Sequence, residues 1–179
     1  MNRSLTTSHG TVLIREANPS DATRYRQLRL EALLDSPTAF SADYHLNLSH
    51  PMSFWEGRLT SNEHGIMFLA AHENNLIAMT GIRRGEWPKT NHGAFVWGVY
   101  VSPAWRGLHI AEALIENCRA WAREHNVVIL KLGVMANNES AIRCYERCGF
   151  TVYGTEPRAL FYEGKYYDEF LMYCSLDGS

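Results

Sequence analysis

Cysteine is scarce in this sequence: Cys118, Cys144, Cys148 and Cys174 are the only four in 179 residues, too few to frame a secreted fold of this size with disulfides. Cys144 and Cys148 stand one helical turn apart, but no histidine or cysteine pair nearby completes a zinc site, so they read as small buried thiols. The eight histidines are scattered and form no His-Glu-x-x-His pattern, which leaves no metal expected. No apolar run approaches the roughly 20 residues that span a bilayer. Met1–Gly10 is polar and lacks the apolar core of a signal peptide. Charge of one sign is also missing: 17 Lys and Arg against 19 Asp and Glu give a net charge of −2, with no call for nucleic acid or an anionic membrane as partner. Gly-x-Gly-x-x-Gly and Walker-type phosphate loops are absent, and Ser36 and Ser102 lack a nucleophile-elbow context. What is present is ordinary for a globular protein: 46% hydrophobic and 20% charged residues, enough for one well-buried domain over 1–179 with a cytoplasmic address.

The pattern along the chain alternates in period. Val12–Glu16 predicts a short strand, and Asn18-Pro19-Ser20-Asp21 a capping turn before a helix over 22–34 with Tyr25, Leu28, Leu30, Leu33 and Leu34 at helical spacing. Ser36-Pro37 ends that helix, 38–51 lacks clear period, and Phe54, Trp55 and Leu59 support another helix stopping near Asn62. Residues 66–72, 76–84 and 94–101 predict an antiparallel meander of three strands. A helix over 110–125 follows, with Ile110, Leu114, Cys118 and Trp121 on one face. The apolar run 127–134 predicts a strand buried on both faces, 138–149 a short helix with a glycine cap, and 151–155 and 166–175 two closing strands. The fold class is mixed α/β: a central, mostly antiparallel sheet flanked by helices.

Val99–Ala111 (V-Y-V-S-P-A-W-R-G-L-H-I-A) is the most informative stretch. A β-branched strand runs through Ser102-Pro103 and Arg106-Gly107 into an amphipathic helix, so backbone N–H groups at a helix N-terminus face outward, suited to phosphate or pyrophosphate. Arg106 adds a charge-assisted contact, and Gly107 lets the backbone approach a ligand closely. A second signature, Asn138–Phe150, follows about thirty residues on.

Together these motifs resemble the GCN5-related N-acetyltransferase (GNAT) superfamily. Arg106 and Ala111 match the ends of its Gln/Arg-x-x-Gly-x-Gly/Ala loop, with Gly107 a common residue inside it. Asn138, Ala141, Tyr145, Gly149 and Phe150 match every position of its Asn-x-x-Ala-x-x-x-Tyr-x-x-x-Gly-Phe pattern. The resemblance implies acetyl-CoA as cosubstrate, held by Val99, Tyr100, Val101, Arg106, Gly107, Leu108, His109, Ile110, Ala111 and Asn138. It implies Tyr145 as the general acid that protonates the departing thiolate. Residue by residue, alternatives stay open: Tyr145 as a packing residue, Asn138 as a helix cap. His109 departs from the family, standing where the central glycine usually sits. It is either forced to positive φ at some cost or already helical, and the helical reading is the expectation because Ile110 and Ala111 continue the pattern.

The reaction implied is direct attack of an amine on the thioester. Relatives often place a glutamate on the strand before the loop, but Ala94–Val101 carries no carboxylate. A lysine-like amine of pKa about 10.4 is neutral about once in 2,500 molecules at pH 7, a penalty near 4.6 kcal/mol, whereas an α-amine of pKa about 8 carries only about 1.4 kcal/mol. A missing base therefore favours a low-pKa amine or a water chain, with His92, Glu31, Asp168 and Glu169 as candidates elsewhere. Phe40, Tyr44, Phe54 and Trp55, together with 158–169 between the last strands, would wall the acceptor site. Arg83, Arg84 and Arg158 either pair a substrate carboxylate or are solvated charges. The expected activity is acetylation of a small amine or amino acid derivative. Acetylation of a peptide N-terminus and a non-catalytic CoA-binding module are the alternatives, and a homodimer is expected by analogy.

Overall fold

The structure is a computed structural model, and it describes residues 2–177. Met1, Gly178 and Ser179, and with them the ends of the 1–179 domain reading and of the polar Met1–Gly10 segment, lie outside the described residues. Strands β1 (Arg3–Thr7), β2 (Gly10–Glu16), β3 (Gly65–His72), β4 (Asn75–Arg84), β5 (Gly93–Val101), β6 (Ile129–Met135), β7 (Thr151–Tyr162) and β8 (Lys165–Ser175) form one sheet in the order β1-β2-β3-β4-β5-β6-β8-β7. Helices α1 (Ala22–Asp35), α2 (Tyr44–Ser49) and α3 (Met52–Leu59) precede the meander, while α4 (Ile110–Glu124) and α5 (Glu139–Arg147) flank β6 in sequence. The expected mixed α/β sheet with flanking helices is present.

The chain builds two apolar layers, one on each face of the sheet. On one face Ile110, Leu114, Cys118 and Trp121 of α4 pack with Cys144 and Tyr145 of α5 over Val96, Leu130, Leu132 and Met172. On the other, Tyr25, Leu28 and Ala32 of α1 and Trp55 and Leu59 of α3 pack on Met67, Leu69, Met79 and Tyr100. Alternation along β5 feeds both layers, sending Val96 one way and Tyr100 the other.

Three local differences from the sequence pattern have simple causes. β1 pairs with β2 from Arg3↔Ile14 to Thr7↔Gly10 although its only large apolar residue is Leu5, since an edge strand with little core contact needs no apolar alternation. β6 is not buried on both faces: Leu130, Leu132 and Val134 are buried in the α4–α5 layer, but Lys131, pointing the other way, is exposed. β7 runs to Tyr162, so most of 158–169 lies within the β7–β8 hairpin rather than between separate strands, with irregular register between Glu156 and Leu160.

Entry into α1 is fixed by a buried carboxylate. Asn18 and Asp21 form a reciprocal capping box, and Asp21, 1% exposed, accepts from both terminal nitrogens of Arg15 at 2.7 and 2.8 Å and from Arg24 at 2.5 Å. The hydrogen bond from Arg15, with the Asn18 N–H and both charges, outweighs burial and holds Asp21 below the usual carboxylate range. A depressed native pKa contributes stability above the unfolded value near 3.9, lost as pH falls through the native value. Because both arginines are half-exposed, Asp21→Ala is expected to cost about 2–3 kcal/mol at pH 7 and much less near pH 3. Denaturant titrations at the two pH values check this, and an equal loss at both contradicts it.

Candidate active site

β5 and β6 are the sheet's one parallel pair, and their pairing stops early. Register runs only over Gly93↔Ile129, Ala94↔Leu130 and Phe95↔Lys131. Beyond that the strands diverge, with Gly98 at φ 66° in the diverging part of β5. The β5 edge from Val96 to Val101 therefore leaves backbone groups unpaired on its β6 side, and such groups require a partner.

At the wide end lies a cavity of about 560 Å³ lined by Val99, Tyr100, Val101, Arg106, Gly107, His109, Ile110, Ala111, Asn138 and Tyr145. The structure thus brings ten of the eleven sequence-selected residues to one cavity. Leu108 is the exception, turned into the core layer under α4. Phe40, one of the aromatics expected to wall an acceptor site, also lines it, as do Ser140, Arg143 and Arg147, which were not singled out.

The loop into α4 is left-handed twice, at Gly107 (φ 77°) and at His109 (φ 59°, ψ 22°), which is the N-cap residue. The helical reading of His109 is therefore corrected: helix begins at Ile110, and the turn that presents the amides requires positive φ at 109. No side chain caps α4, and its first bond joins the Ala113 N–H to the His109 carbonyl at 3.1 Å. The Ile110 and Ala111 amides are left without intrahelical acceptors at the positive end of the dipole. His109 is held in a conformation costing about 1 kcal/mol or more. His109→Gly is expected to stabilise the fold by a few tenths to about 1 kcal/mol, whereas a helical residue would lose about 1 kcal/mol on the same change. Thermal denaturation gives the sign.

Charges around the cavity are largely engaged. Arg106 donates from Nε to the Val101 carbonyl at 3.0 Å and from Nη2 to Asp35 at the end of α1, strapping loop to helix rather than standing free for a phosphate. Burial opposes the Asp35 charge, but hydrogen bonds from Ser36 and Arg106 outweigh it and keep that carboxyl low. Glu112 accepts from Arg147 at 2.6 and 3.1 Å and lies 3.1 Å from His109 Nδ1. Burial again opposes its charge, and these hydrogen bonds hold it below the ordinary range.

Tyr145 is 7% exposed, packs 6.2 Å from the Phe150 ring and lines the cavity, with no hydrogen bond to its hydroxyl among the described residues. Burial pushes its phenol above the ordinary tyrosine value, so it is a proton-bearing group at every ordinary pH. Asn138 caps α5, its side chain accepting from the Ala141 N–H at 3.2 Å, and it lines the cavity as well.

The base candidates separate by position. His92 immediately precedes β5, about a strand length of 30 Å from the cavity end. Asp168 is exposed and accepts from the Arg158 N–H at 2.8 Å. Glu31 accepts from the Tyr100 hydroxyl at 3.0 Å. Glu169 is half-buried against Gly133, and burial, then the Glu156 charge, raises its carboxyl. The three arginines first considered for a carboxylate are occupied: Arg83 pairs with Glu86, Arg84 donates to the His125 carbonyl at 3.2 Å, and Arg158 stacks on Tyr166. Among the described residues no group of three or more His, Cys, Asp or Glu could hold a metal ion, and no helix is long and apolar enough to cross a membrane.

Residues 28–150 match the acetyltransferase (GNAT) family. The L-amino acid N-acetyltransferase AaaT of Escherichia coli strain K12 is 26% identical over 166 residues, spanning 90% of this chain and 96% of that protein. A GNAT-family acetyltransferase structure from Streptococcus pneumoniae aligns with TM-score 0.84 at 23% identity, over 92% of this chain and 99% of its own. The structure of yncA from Salmonella typhimurium, with its cofactor acetyl-CoA, aligns with TM-score 0.73 at 20% identity, over 94% and 95%. With a family match across most of its length, the diverging β5–β6 pair and the left-handed loop into α4, this chain belongs to the acetyltransferase (GNAT) family.

Proposed function

We propose that this protein transfers an acetyl group from acetyl-CoA to the primary amine of a small molecule or amino acid derivative. The observation that carries the reading is the wedge between β5 and β6, whose unpaired strand edge leads directly into the uncapped N-terminus of α4. The residues present fit the cosubstrate. The Val99–Val101 edge offers amide partners to an extended pantetheine arm. Gly107, Leu108 and His109, with the Ile110 and Ala111 amides, offer donors to a pyrophosphate, Leu108 through its backbone alone. Asn138 flanks the arm, and Arg143 and Arg147 supply charge at the cavity wall.

When bound, acetyl-CoA supplies the activated acyl group. A backbone N–H of the Val99–Val101 edge polarises the thioester carbonyl, where a preorganised donor has its largest effect. Tyr145 holds a proton on its hydroxyl and gives it to the departing thiolate. Glu31, which accepts from the Tyr100 hydroxyl, and Glu169 are the base candidates this reading retains, taking a proton from the amine directly or through water.

On this reading residues 1–179 act as one catalytic domain in the cytoplasm, without metal or nucleic acid, and pair as a homodimer through the aromatic-rich last strand. A panel of amines incubated with acetyl-CoA, followed by thiol release, tests it. Release that depends on a primary amine is expected. Absence of release across amino acids, aminoglycosides and peptide N-termini, in folded protein that binds acetyl-CoA, would instead favour the non-catalytic binding module.

A further inference from the structure

Arg29 is buried beneath α1 at 6% exposure, and its Nε and Nη1 have no hydrogen-bond partner. It forms no ion pair among the described residues. Its guanidinium lies 4.4 Å from the centroid of Phe40, a ring that lines the large cavity and stands 6.4 Å from the Tyr100 ring. Arg58 of α3 approaches the same layer, 5.0 Å from Trp97 and 5.5 Å from Phe54, with only a long 3.4 Å contact to the Tyr25 hydroxyl. Burial foremost, and the charge of Arg58, hold Arg29 below the ordinary arginine value, yet a guanidinium remains charged at neutral pH. Arg29 and Arg58 lie close enough for their charges to repel, neither is in an ion pair among the described residues, and such uncompensated charge among aromatic rings calls for an anion.

That anion is not a phosphate of the cosubstrate. The phosphate-binding amides belong to the α4 layer on one face of the sheet, whereas Arg29 and Arg58 belong to the α1–α3 layer on the other. We propose that Arg29 and Arg58 bind the carboxylate of the acceptor, so that the substrates are amines carrying a carboxylate, α-amino acids foremost. The planar guanidinium fork suits bidentate carboxylate recognition, and the Phe40 and Trp97 rings exclude water from the pair. Held there, an acceptor can direct its amine toward Tyr100 and the open edge of β5. This assignment rests on the acetyl-transfer reading above.

The test compares L-amino acids with their α-amides, in thermal stabilisation and in initial rates with acetyl-CoA, for wild type, Arg29→Gln and Arg58→Gln. Wild type is expected to be stabilised by acids and not by amides. KM for the acid is expected to rise about tenfold or more in Arg29→Gln with the amide KM unchanged. Arg58→Gln, at a half-exposed position, should show the same split more weakly and covers the case in which Arg29→Gln fails to fold. Acetyl-CoA affinity should not move in either variant, which separates this subsite from the cosubstrate site. Turnover of acids and amides alike, or equal KM changes for both, overturns the carboxylate subsite while leaving acetyl transfer standing. Acid-specific stabilisation without turnover does the reverse. No stabilisation and no turnover overturns both.

Discussion

Tyr145→Phe is expected to lower kcat by about 10²–10⁴-fold while leaving acetyl-CoA affinity unchanged. The ring is buried and packs against Phe150, and phenylalanine preserves that packing, so the change removes only the hydroxyl at the cavity wall. Losing a proton donor to a thiolate slows bond cleavage without touching the groups that hold the cosubstrate. The pH dependence adds a second check. Because burial raises the Tyr145 phenol, its ionisation would remove activity only above the ordinary tyrosine value near 10, so wild-type kcat should show no falling limb from this group below that pH. If Tyr145→Phe retained wild-type kcat, the tyrosine would be a packing residue and the proton would come from elsewhere, water included.

Trp55→Ala should be among the most destabilising single changes in the chain. The indole is 0% exposed, meets Tyr25 edge-to-face at 5.8 Å and Phe54 at 5.2 Å, and anchors α3 beneath the layer that carries Arg29 and Arg58. Truncation leaves a large cavity and is expected to cost about 3–5 kcal/mol, lowering Tm by roughly 10 °C. Trp55→Phe should cost far less, below about 1.5 kcal/mol. It keeps most of the ring and removes an indole N–H that is buried without a partner, relieving a desolvation penalty. Calorimetry on the two variants gives the comparison. Equal losses would mean that Nε1 finds a partner after all.

Much of this architecture is legible in one sequence because its signals are local. The amphipathic run of α4 and the cap-to-glycine span from Asn138 to Gly149 stand within one or two residues of where periodicity and capping place them. The polar Arg3–Thr7 edge was invisible because pairing with Ile14 and its neighbours, not apolar alternation, makes it a strand. His109 misleads for a related reason: the helical pattern beyond it is real, but the backbone at 109 is decided by the turn that aims the amides outward. Long-range pairs escape altogether. Nothing local links Arg106 to Asp35, seventy-one residues away, or marks Arg29, between Leu28 and Leu30, as the buried arginine of α1. The motifs lead to the wall of the cavity that is made of backbone, the β5 edge and the loop into α4. The layer proposed to hold the acceptor is built by side chains from α1, α3 and β5, whose meeting only the fold reveals.

The central claim, that the wedge and loop hold acetyl-CoA, is tested most directly by calorimetric titration of the folded protein with acetyl-CoA and with CoA. One-to-one binding in the micromolar range, about −8 kcal/mol, is predicted for both. Absence of binding heat across a range of temperatures, in protein whose fold is verified in the same buffer, would contradict it and remove the basis for acetyl transfer.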